Sequence, residues 1–322
     1  MTSRLAAAAA VAAALPILAA VPARAQTYPS RTVQIVNPTQ AGATTDVLGR
    51  ALAIGLANRL GQQFVIVNRV GAGGAIGTAA VARAEPDGYT LWFGAIYTLS
   101  VLTKLKTTEA GYEANALKPV CQTVSNAMMI VVKAGSPYKT LADLVKAAKE
   151  NPGKLNYGHQ GAGSIPNLAV EEFLDTAGLK INSIPFRGDP AVITGLLGDN
   201  VDVGGLVQGT VAAARDQLRP LGIFAEERHP SFPDVPTVKE QGYNVAPVSF
   251  GGLMAPAATP EPVIAKLASA CEGAAKDDVY AKAAKAGGQP DNYYADRKLF
   301  GERLARDIAT KARLLSKMGL SR

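Results

Sequence analysis

The stretch from Phe64 to Leu91 constrains the fold more than any other part of the sequence. An apolar run at 64–67 leads into a glycine-rich turn at 71–77, an alanine-rich segment, and a Pro-Asp-Gly turn before a second apolar run. This order predicts strand, turn, helix, turn and strand, the unit from which open α/β sheets are built. The segment between the two runs is long enough for the crossover helix that parallel strands require.

The first 25 residues have the pattern of a secretory signal peptide. Arg4 gives a positive start, an apolar stretch runs from Leu5 to Val21, and Ala23-Arg24-Ala25 is a small-residue cleavage site. The alternative, a membrane anchor, is disfavoured because the stretch is short and no second span follows it. The sequence therefore predicts export to the periplasm and cleavage after Ala25.

The composition is that of a globular protein with sizeable cores, because apolar residues make up 48% of the chain and charged residues 18%. About 300 mature residues exceed what one core usually serves, so two lobes are expected. The formal charge is +7, and it falls to about +5 without the two leader arginines. Nucleic acid is a poor partner because the basic residues are scattered and few aromatic residues accompany them. A mild positive field suits a small anion better.

The pattern of apolar runs predicts how the chain divides. Strands at 120–124 and 128–132 join near Ser125-Asn126, and a return strand begins at Phe250. We therefore expect a first lobe of residues 26–125 and 250–322 and a second lobe of residues 126–249. Amphipathic helices in the last 35 or so residues are expected to brace the first lobe. Export permits a disulfide between Cys121 and Cys271, but their predicted places in a strand and mid-helix disfavour pairing.

Loops that end at helix N-termini recur after the predicted strands. In open α/β sheets ligands bind at the carboxyl ends of strands, so the cleft between the lobes is the expected site. The loop after the first strand is the first candidate, because small residues and free helix amides attract an anion. Its candidate ligand residues are Thr39, Gln40, Ala41, Gly42, Ala43, Thr44, Thr45 and Asp46. The alternative is an ordinary turn in which one of the last three caps the helix.

A second and a third loop offer similar chemistry. The second candidate set consists of His159, Gly161, Ala162, Gly163, Ser164 and Asn167, with Ser164 also a candidate helix cap. The third is Arg187-Gly188, whose guanidinium suits a carboxylate, although Arg187 could instead pair with Asp189, the predicted cap of the next helix. Tyr97 and Gln208, after two other strands, complete the candidate site.

Catalytic and cofactor motifs are scarce. The glycine-rich turn reads G-x-G-G-x-x-G rather than G-x-G-x-x-G, and no acidic residue follows the next strand, which disfavours a dinucleotide. No G-x-S-x-G elbow is present, and two histidines and two distant cysteines make no metal-ligand cluster. His229 is predicted to lie in a solvent-exposed loop. We therefore expect a binding protein rather than an enzyme, with no cofactor and no metal.

Several ordered segments resemble the solute-binding receptors of tripartite tricarboxylate transporters, the Bug family. The matching segments are 68–77 with 86–91, 155–164, 184–191 with 196–202, 233–238 and 252–256. The resemblance implies a two-lobed periplasmic binding protein of type II, a Venus flytrap whose lobes are mostly parallel sheets flanked by helices. It also implies a carboxylate ligand held by loop amides, hydroxyls and waters, and delivery to membrane transporter subunits.

The sequence departs from the family pattern mainly around the expected pocket. Ala43 and Thr44 stand where glycines are usual, Asn167 where histidine is common, Phe186-Arg187 where Tyr-Lys is usual, and Val70 where proline is common. These changes bear on the ligand rather than the fold, and Arg187 would favour a second carboxylate.

The function expected from the sequence is capture of a small organic anion by a monomeric receptor that serves a tripartite transporter. One alternative is a sensory receptor that presents its ligand to a signalling partner. An alternative from another class is a nicotinamide-dependent oxidoreductase, against which the glycine spacing argues.

Overall fold

The computed structural model describes residues 28–107, 109–245, 249–290 and 293–321. The predicted signal peptide, residues 1–25, lies outside the described residues. Of the helices in these ranges, none combines the length and the apolar character needed to cross a membrane.

The described strands form two sheets of five strands each. The first sheet contains β1 (Val33–Asn37), β2 (Phe64–Asn68), β3 (Thr90–Ala95), β4 (Leu117–Ser125) and β10 (Phe250–Pro256). The second contains β5 (Met128–Lys133), β6 (Asn156–His159), β7 (Asn182–Pro185), β8 (Val203–Val207) and β9 (Leu218–Phe224). The strand orders, β2-β1-β3-β10-β4 and β7-β6-β8-β5-β9, have the same layout.

Helices flank each sheet and complete two lobes. The first lobe adds α1 (Thr44–Leu60), α2 (Ala75–Ala82), α3 (Tyr97–Ser100), α8 (Glu261–Ala275), α9 (Asp278–Ala286) and α10 (Arg297–Lys317). The second lobe adds α4 (Leu141–Glu150), α5 (Ile165–Ala177), α6 (Asp189–Leu197) and α7 (Gln208–Ala213). The two-lobed α/β architecture predicted from the sequence is confirmed.

Each sheet has four strands running in one direction and one strand reversed, so the mostly parallel sheets that the sequence predicted are confirmed. In the first sheet β1 is parallel to β2 and β3, while β10 is antiparallel to β3 and β4. The second sheet repeats this pattern, with β6 parallel to β7 and β8, and β5 antiparallel to β8 and β9. The antiparallel strands β10 and β5 each enter their sheet from the other lobe, so their direction is reversed.

The glycine-rich unit at 64–91 folds as predicted, from β2 through a 3-10 turn and α2 to β3. The turn needs its glycines, because Gly71, Gly73 and Gly74 all have positive φ, where other residues are strained. A Cβ on Gly77 would lie 2.5 Å from the Arg69 carbonyl oxygen, so this helix can approach the preceding loop only with glycine there.

The structure joins Cys121 of β4 to Cys271 of α8 in a disulfide, which corrects the expectation that they stay apart. Their Cα atoms are 6.4 Å apart, and both side chains are fully buried in the first-lobe core. The sequence could not show that α8 packs directly on β4, which brings a strand cysteine and a mid-helix cysteine face to face.

Two local predictions need correction. The segment 94–100, predicted as a loop, contains the end of β3 and the short helix α3. Gly188 rather than Asp189 is the N-cap of α6.

The last helix does more than brace the first lobe. Besides packing on β4 and α3, α10 contacts α5 of the second lobe. Leu314 and Leu315 share an apolar cluster with Val101 of the first lobe and Leu168 of the second. The C-terminal helix therefore links the lobes in addition to the two strand crossings.

Candidate functional site

Strand directions show which loops of the first lobe face the second. The crossing from β4 to β5 takes only the two residues between Ser125 and Met128, so the end of β4 faces the second lobe. Phe250, the first residue of β10, pairs with Ser125, and Gly251 pairs with Ala95 at the end of β3. Because β1 is parallel to β3, the loops after both strands lie at the interlobe edge.

The same argument applies to the second lobe. Met128, the first residue of β5, pairs with Val207, the last residue of β8. Because β6 and β7 run parallel to β8, all three strands end at the edge facing the first lobe. The candidate loops after β1, β3, β6, β7 and β8 therefore share the interlobe edge, as the sequence predicted.

The loop after β1 is fixed from inside by buried polar side chains. The Asn37 Oδ1 accepts hydrogen bonds from the Thr39 backbone N–H at 2.9 Å and the Thr39 hydroxyl at 2.6 Å. The Thr39 and Thr45 hydroxyls lie 2.8 Å apart. Asn68, at the end of β2, donates to the Thr39 carbonyl at 3.0 Å. Thr39 and Thr45 thus serve the loop itself.

Asp46 closes this network instead of facing a ligand. Its buried carboxylate accepts hydrogen bonds from the Gly42 backbone N–H at 2.9 Å, Arg50 Nε at 3.0 Å and Asn68 Nδ2 at 2.8 Å. Burial alone would raise the pKa of Asp46, but these three donors outweigh it and hold the pKa below its ordinary value. The carboxylate is therefore ionised and positions the loop.

The outer part of the same loop remains accessible. Gln40, Ala41, Gly42 and Thr44 are exposed, and Ala43 is half-buried. Ala43 is the N-cap of α1 without a side-chain cap, so neither Thr44, Thr45 nor Asp46 caps this helix. The first amides of an α-helix have no intrahelical partner, so this end of α1 offers N–H donors to an anion.

His159 is buried at the end of β6, and both of its ring nitrogens are engaged. Nδ1 accepts from the Gly161 backbone N–H at 3.1 Å, so Nε2 carries the proton and donates to the Ser183 hydroxyl at 2.8 Å. Burial lowers the pKa of His159, so the ring is neutral at about pH 7. The side chain supports the second loop from below rather than reaching into the cleft.

Asn167 likewise acts inside the second loop. It is fully buried, its Oδ1 accepts from the Gly163 backbone N–H at 2.8 Å, and its Nδ2 donates to the Tyr157 hydroxyl at 2.6 Å. Tyr157 in turn donates to Glu171. Ser164 is the N-cap of α5, as predicted, and accepts from the Asn167 N–H at 3.4 Å.

Fewer amides of the second loop are available than the sequence suggested. The N–H groups of Gly161 and Gly163 bind side chains, and that of Ser164 donates to the Gly161 carbonyl at 3.1 Å. The half-buried Ser164 hydroxyl and exposed Ala162 remain at the surface.

Arg187 is exposed after β7, next to half-buried Gly188. It forms no hydrogen bond or ion pair with any residue that the structure describes. The predicted alternative, a pair with Asp189, is not formed, because Asp189 accepts from Gln160 at 2.6 Å and from the Thr210 hydroxyl at 2.7 Å. The guanidinium therefore keeps all its donors for another partner.

Gln208 and Tyr97 occupy the remaining interlobe positions. Gln208 Nε2 donates to the Gly288 carbonyl of the first lobe at 2.8 Å, while its buried Oε1 has no hydrogen-bond partner. His229, predicted to be exposed, is buried and contacts the same carbonyl through Nε2 at 2.6 Å. Half-buried Tyr97 packs in the apolar cluster with Leu168, and burial raises its pKa.

Sequence reasoning missed two buried polar groups at this edge. Asn37 ends β1 with an unpartnered Nδ2, and Thr98, in α3, has an unpartnered hydroxyl. The sequence did hold a signal for Asn37, because this asparagine ends an apolar strand directly before a candidate loop. Among the described residues, no three or more His, Cys, Asp or Glu side chains are grouped to hold a metal ion.

Comparison with known proteins identifies the family. Residues 48–320 match the tripartite tricarboxylate transporter family receptor. The chain belongs to this family. Its members are periplasmic solute-binding receptors. A curated relative, Protein BugT of Bordetella pertussis, is 34% identical over 252 residues, which are 77% of this chain and 77% of BugT.

Solved structures of family relatives agree with this assignment. A ligand-free TctC solute-binding protein from Polaromonas has a TM-score of 0.82 and 30% identity, covering 90% of this chain and all of that chain. Rpa4515 of R. palustris, with adipate, has a TM-score of 0.67 and 26% identity over 91% of this chain and 99% of that one. MatC of Rhodopseudomonas palustris, with malate, has a TM-score of 0.62 and 26% identity over 89% and 100%.

Proposed function

We propose that this receptor captures a small dicarboxylate between its lobes and presents it to the membrane subunits of a tripartite transporter. The observation that carries the proposal is the unpaired, exposed guanidinium of Arg187 at the same interlobe edge as the open N-terminus of α1. Two family relatives whose structures hold adipate and malate, both dicarboxylates, support the same ligand class.

The proposed site has one anion-binding group on each lobe. On the first lobe, the backbone N–H of exposed Thr44 and the other amides in the first turn of α1 receive one carboxylate. On the second lobe, Arg187 receives the other carboxylate in a bidentate pair, and Ser164 and Ala162 add polar contacts. Gln208 Oε1 and Asn37 Nδ2, both buried and unpartnered, are suited to hold bridging waters at the edge of the site.

The remaining parts of the proposal follow from this site. We take residues 26–125 and 250–322 as the lobe bearing the α1 loop and residues 126–249 as the lobe bearing Arg187. A ligand that contacts both stabilises one arrangement of the lobes only by its differential affinity for it. The receptor is proposed to be a monomer that binds without catalysis, exported by a leader removed after Ala25.

Thermal unfolding of residues 26–322 tests the ligand class. The panel contains malate, adipate, a tricarboxylate, monocarboxylates, amino acids and nicotinamide nucleotides. A ligand at about 100 times its dissociation constant adds about 2.7 kcal/mol to the free energy of unfolding and raises the midpoint by several degrees.

Dicarboxylates are expected to raise the midpoint, and monocarboxylates of similar length much less, because they leave one of the two anion-binding groups empty. Equal shifts by monocarboxylates and dicarboxylates would remove the two-point site from the proposal. A shift by nucleotides alone would contradict the proposed ligand class altogether.

A further inference from the structure

The contact between α10 and α5 contains an ion cluster that bridges the two lobes. Lys311 of α10 is fully buried, with 0% of its side chain exposed. Its ammonium lies 3.1 Å from the Glu172 carboxylate on α5 of the second lobe and 3.5 Å from the Asp307 carboxylate on its own helix. Glu172 and Asp307 are buried as well. We refer to these three residues as the interlobe triad.

The charge balance of the triad is uneven. Two ionised carboxylates beside one ammonium leave a net negative charge in a site removed from water, which is strongly unfavourable. Lys311 lies closer to Glu172, so Asp307 is the less compensated carboxylate. Its Oδ2 is buried and has no hydrogen-bond partner. A proton on Asp307 would neutralise the cluster.

We propose that Asp307 is a proton-linked switch that controls how firmly α10 bridges the two lobes. With Asp307 protonated, Lys311 belongs to Glu172 and the lobes are held in the arrangement seen here. With Asp307 ionised, Lys311 has an equivalent partner on its own helix, and Glu172 is free to leave with the second lobe. The inference rests on the proposed function only in requiring that the lobes move relative to each other.

The groups around Asp307 agree with this assignment. Burial raises the pKa of Asp307, and the charge of Glu172 on α5 raises it further, while Lys311 and the Ser100 hydroxyl of α3 lower it without restoring the ordinary value. Arg303, which lies one turn of α10 before Asp307, donates a hydrogen bond to Gln122 of β4.

Other charges at the same contact form a separate, exposed cluster. Asp175 of α5 pairs with Lys317 at 2.7 Å and with Arg313. Those hydrogen bonds hold the pKa of Asp175 below its ordinary value, so it remains ionised at the pH values considered below. This cluster attracts the lobes without responding to the same proton, which makes Asp175 a matched control.

The direction of the pH effect follows from linkage. Separation of the lobes takes Glu172 away from Asp307 and admits water, and both changes lower the pKa of Asp307. A group whose pKa is higher in the bridged arrangement favours that arrangement when protonated. Acidification therefore shifts the receptor toward the bridged arrangement.

Small-angle X-ray scattering of the ligand-free receptor tests the proposal from about pH 8 to about pH 5, a range above the ordinary aspartate pKa of about 3.9. For the wild type, the profile is expected to approach the one calculated from this structure as the pH falls. Asp307→Asn, which is neutral and nearly isosteric, is expected to match that profile throughout. At about pH 8 its profile should lie closer to the one calculated from this structure than the wild-type profile does.

Two further variants keep the result interpretable. Glu172→Gln leaves Lys311 with one ionised carboxylate and is expected to abolish the pH dependence even if Asp307→Asn folds poorly. Asp175→Asn is expected to retain the wild-type pH dependence. A wild-type profile that does not change with pH, or pH dependence that survives in both triad variants, would overturn the switch. Because no ligand is added, such a failure leaves the dicarboxylate proposal standing, and a silent ligand panel leaves the switch standing.

Discussion

The two lobes hold their candidate ligand loops at equivalent positions by different chemistry. Each lobe carries its loop between the second strand of its sheet and a helix, β1 to α1 in the first and β6 to α5 in the second. In the first lobe the loop is fixed by an ionised carboxylate, Asp46, with a cationic partner. In the second it is fixed by neutral side chains, His159 and Asn167.

The cores differ in a similar way. The first lobe contains the Cys121–Cys271 disulfide, and these two are the only cysteines in the chain. The second lobe depends on packing, with fully buried Phe173 and Tyr157 in its larger core. The shared layout therefore requires a rigid loop at the strand end but not a particular means of fixing it. Reductant and acid should therefore destabilise the first lobe, whereas substitution of buried neutral polar residues should destabilise the second.

The largest effect is expected from the disulfide. It closes a loop of 150 residues, and the chain-entropy relation gives about 5 kcal/mol for a loop of that length. The double variant Cys121→Ser/Cys271→Ser should lower the free energy of unfolding by up to that amount, measured by urea denaturation. Hydrogen exchange should increase first in β4 and α8. Equal increases in both lobes would contradict the expectation that the disulfide acts on the first lobe.

The next effect is expected from Asn167→Ala in the second lobe. It leaves the buried Gly163 N–H without an acceptor and the Tyr157 hydroxyl without a donor, which costs about 3 kcal/mol. Asn182→Ala is the matched control, because Asn182 is exposed and its hydrogen bond to the Gly153 carbonyl has water as an alternative. The control should lose less than about 1 kcal/mol. Equal losses would mean that burial of the Asn167 network contributes nothing.

Asp46→Asn should destabilise the first lobe by about 2 kcal/mol, because a charge-assisted hydrogen bond is lost and an amide faces other donors. The folded-state pKa of Asp46 lies below the unfolded value, so its stabilisation is present above about pH 4 and is lost as the pH falls through the folded pKa. The difference between wild type and variant should therefore shrink in acid. The loss caused by Asn167→Ala should stay constant between about pH 5 and pH 8.

Asp199→Asn serves as the control for this pH dependence. Asp199 is exposed and pairs with Lys133 at the surface, where such pairs contribute at most about 1 kcal/mol. Urea denaturation at several pH values measures all three variants. A difference between wild type and Asp46→Asn that does not change with pH would show that the carboxylate charge is not what fixes the first loop.

The parts of this fold that sequence predicted well are local. The strand–turn–helix–strand unit at 64–91 and the Ser164 cap of α5 both depend on neighbours within a few residues. Gly188 caps α6 in place of the predicted Asp189, whose carboxylate accepts hydrogen bonds from Gln160 and Thr210 instead. Distant partners therefore change the role of a residue even where the helix itself is predicted correctly.

The candidate site shows the same limit. Sequence reasoning could place the loops at strand ends, because strand direction and helix starts are local patterns. It could not tell which of their side chains point inward, so Asn167 and His159 were grouped with Arg187, although the first two are buried and the third is exposed. Likewise, the burial of His229 depends on Gly288, a residue of the other lobe.

The smallest effect is expected in ligand affinity, where the two lobes are compared by how each one holds a carboxylate. If the first lobe supplies only backbone amides and the second supplies the charge, then Arg187→Ala should weaken dicarboxylate binding about tenfold, equal to about 1.4 kcal/mol. The free energy of unfolding of the unliganded protein should hardly change, because Arg187 contacts no other described residue through a hydrogen bond or ion pair. Arg215→Ala, at an exposed arginine that binds the Ser231 carbonyl, removes the same charge from the same lobe. Isothermal titration with malate and adipate should show the loss at Arg187 alone, and it should be smaller for a monocarboxylate. Equal weakening by both variants would mean that the second lobe acts through its overall field, and that Arg187 does not bind the second carboxylate.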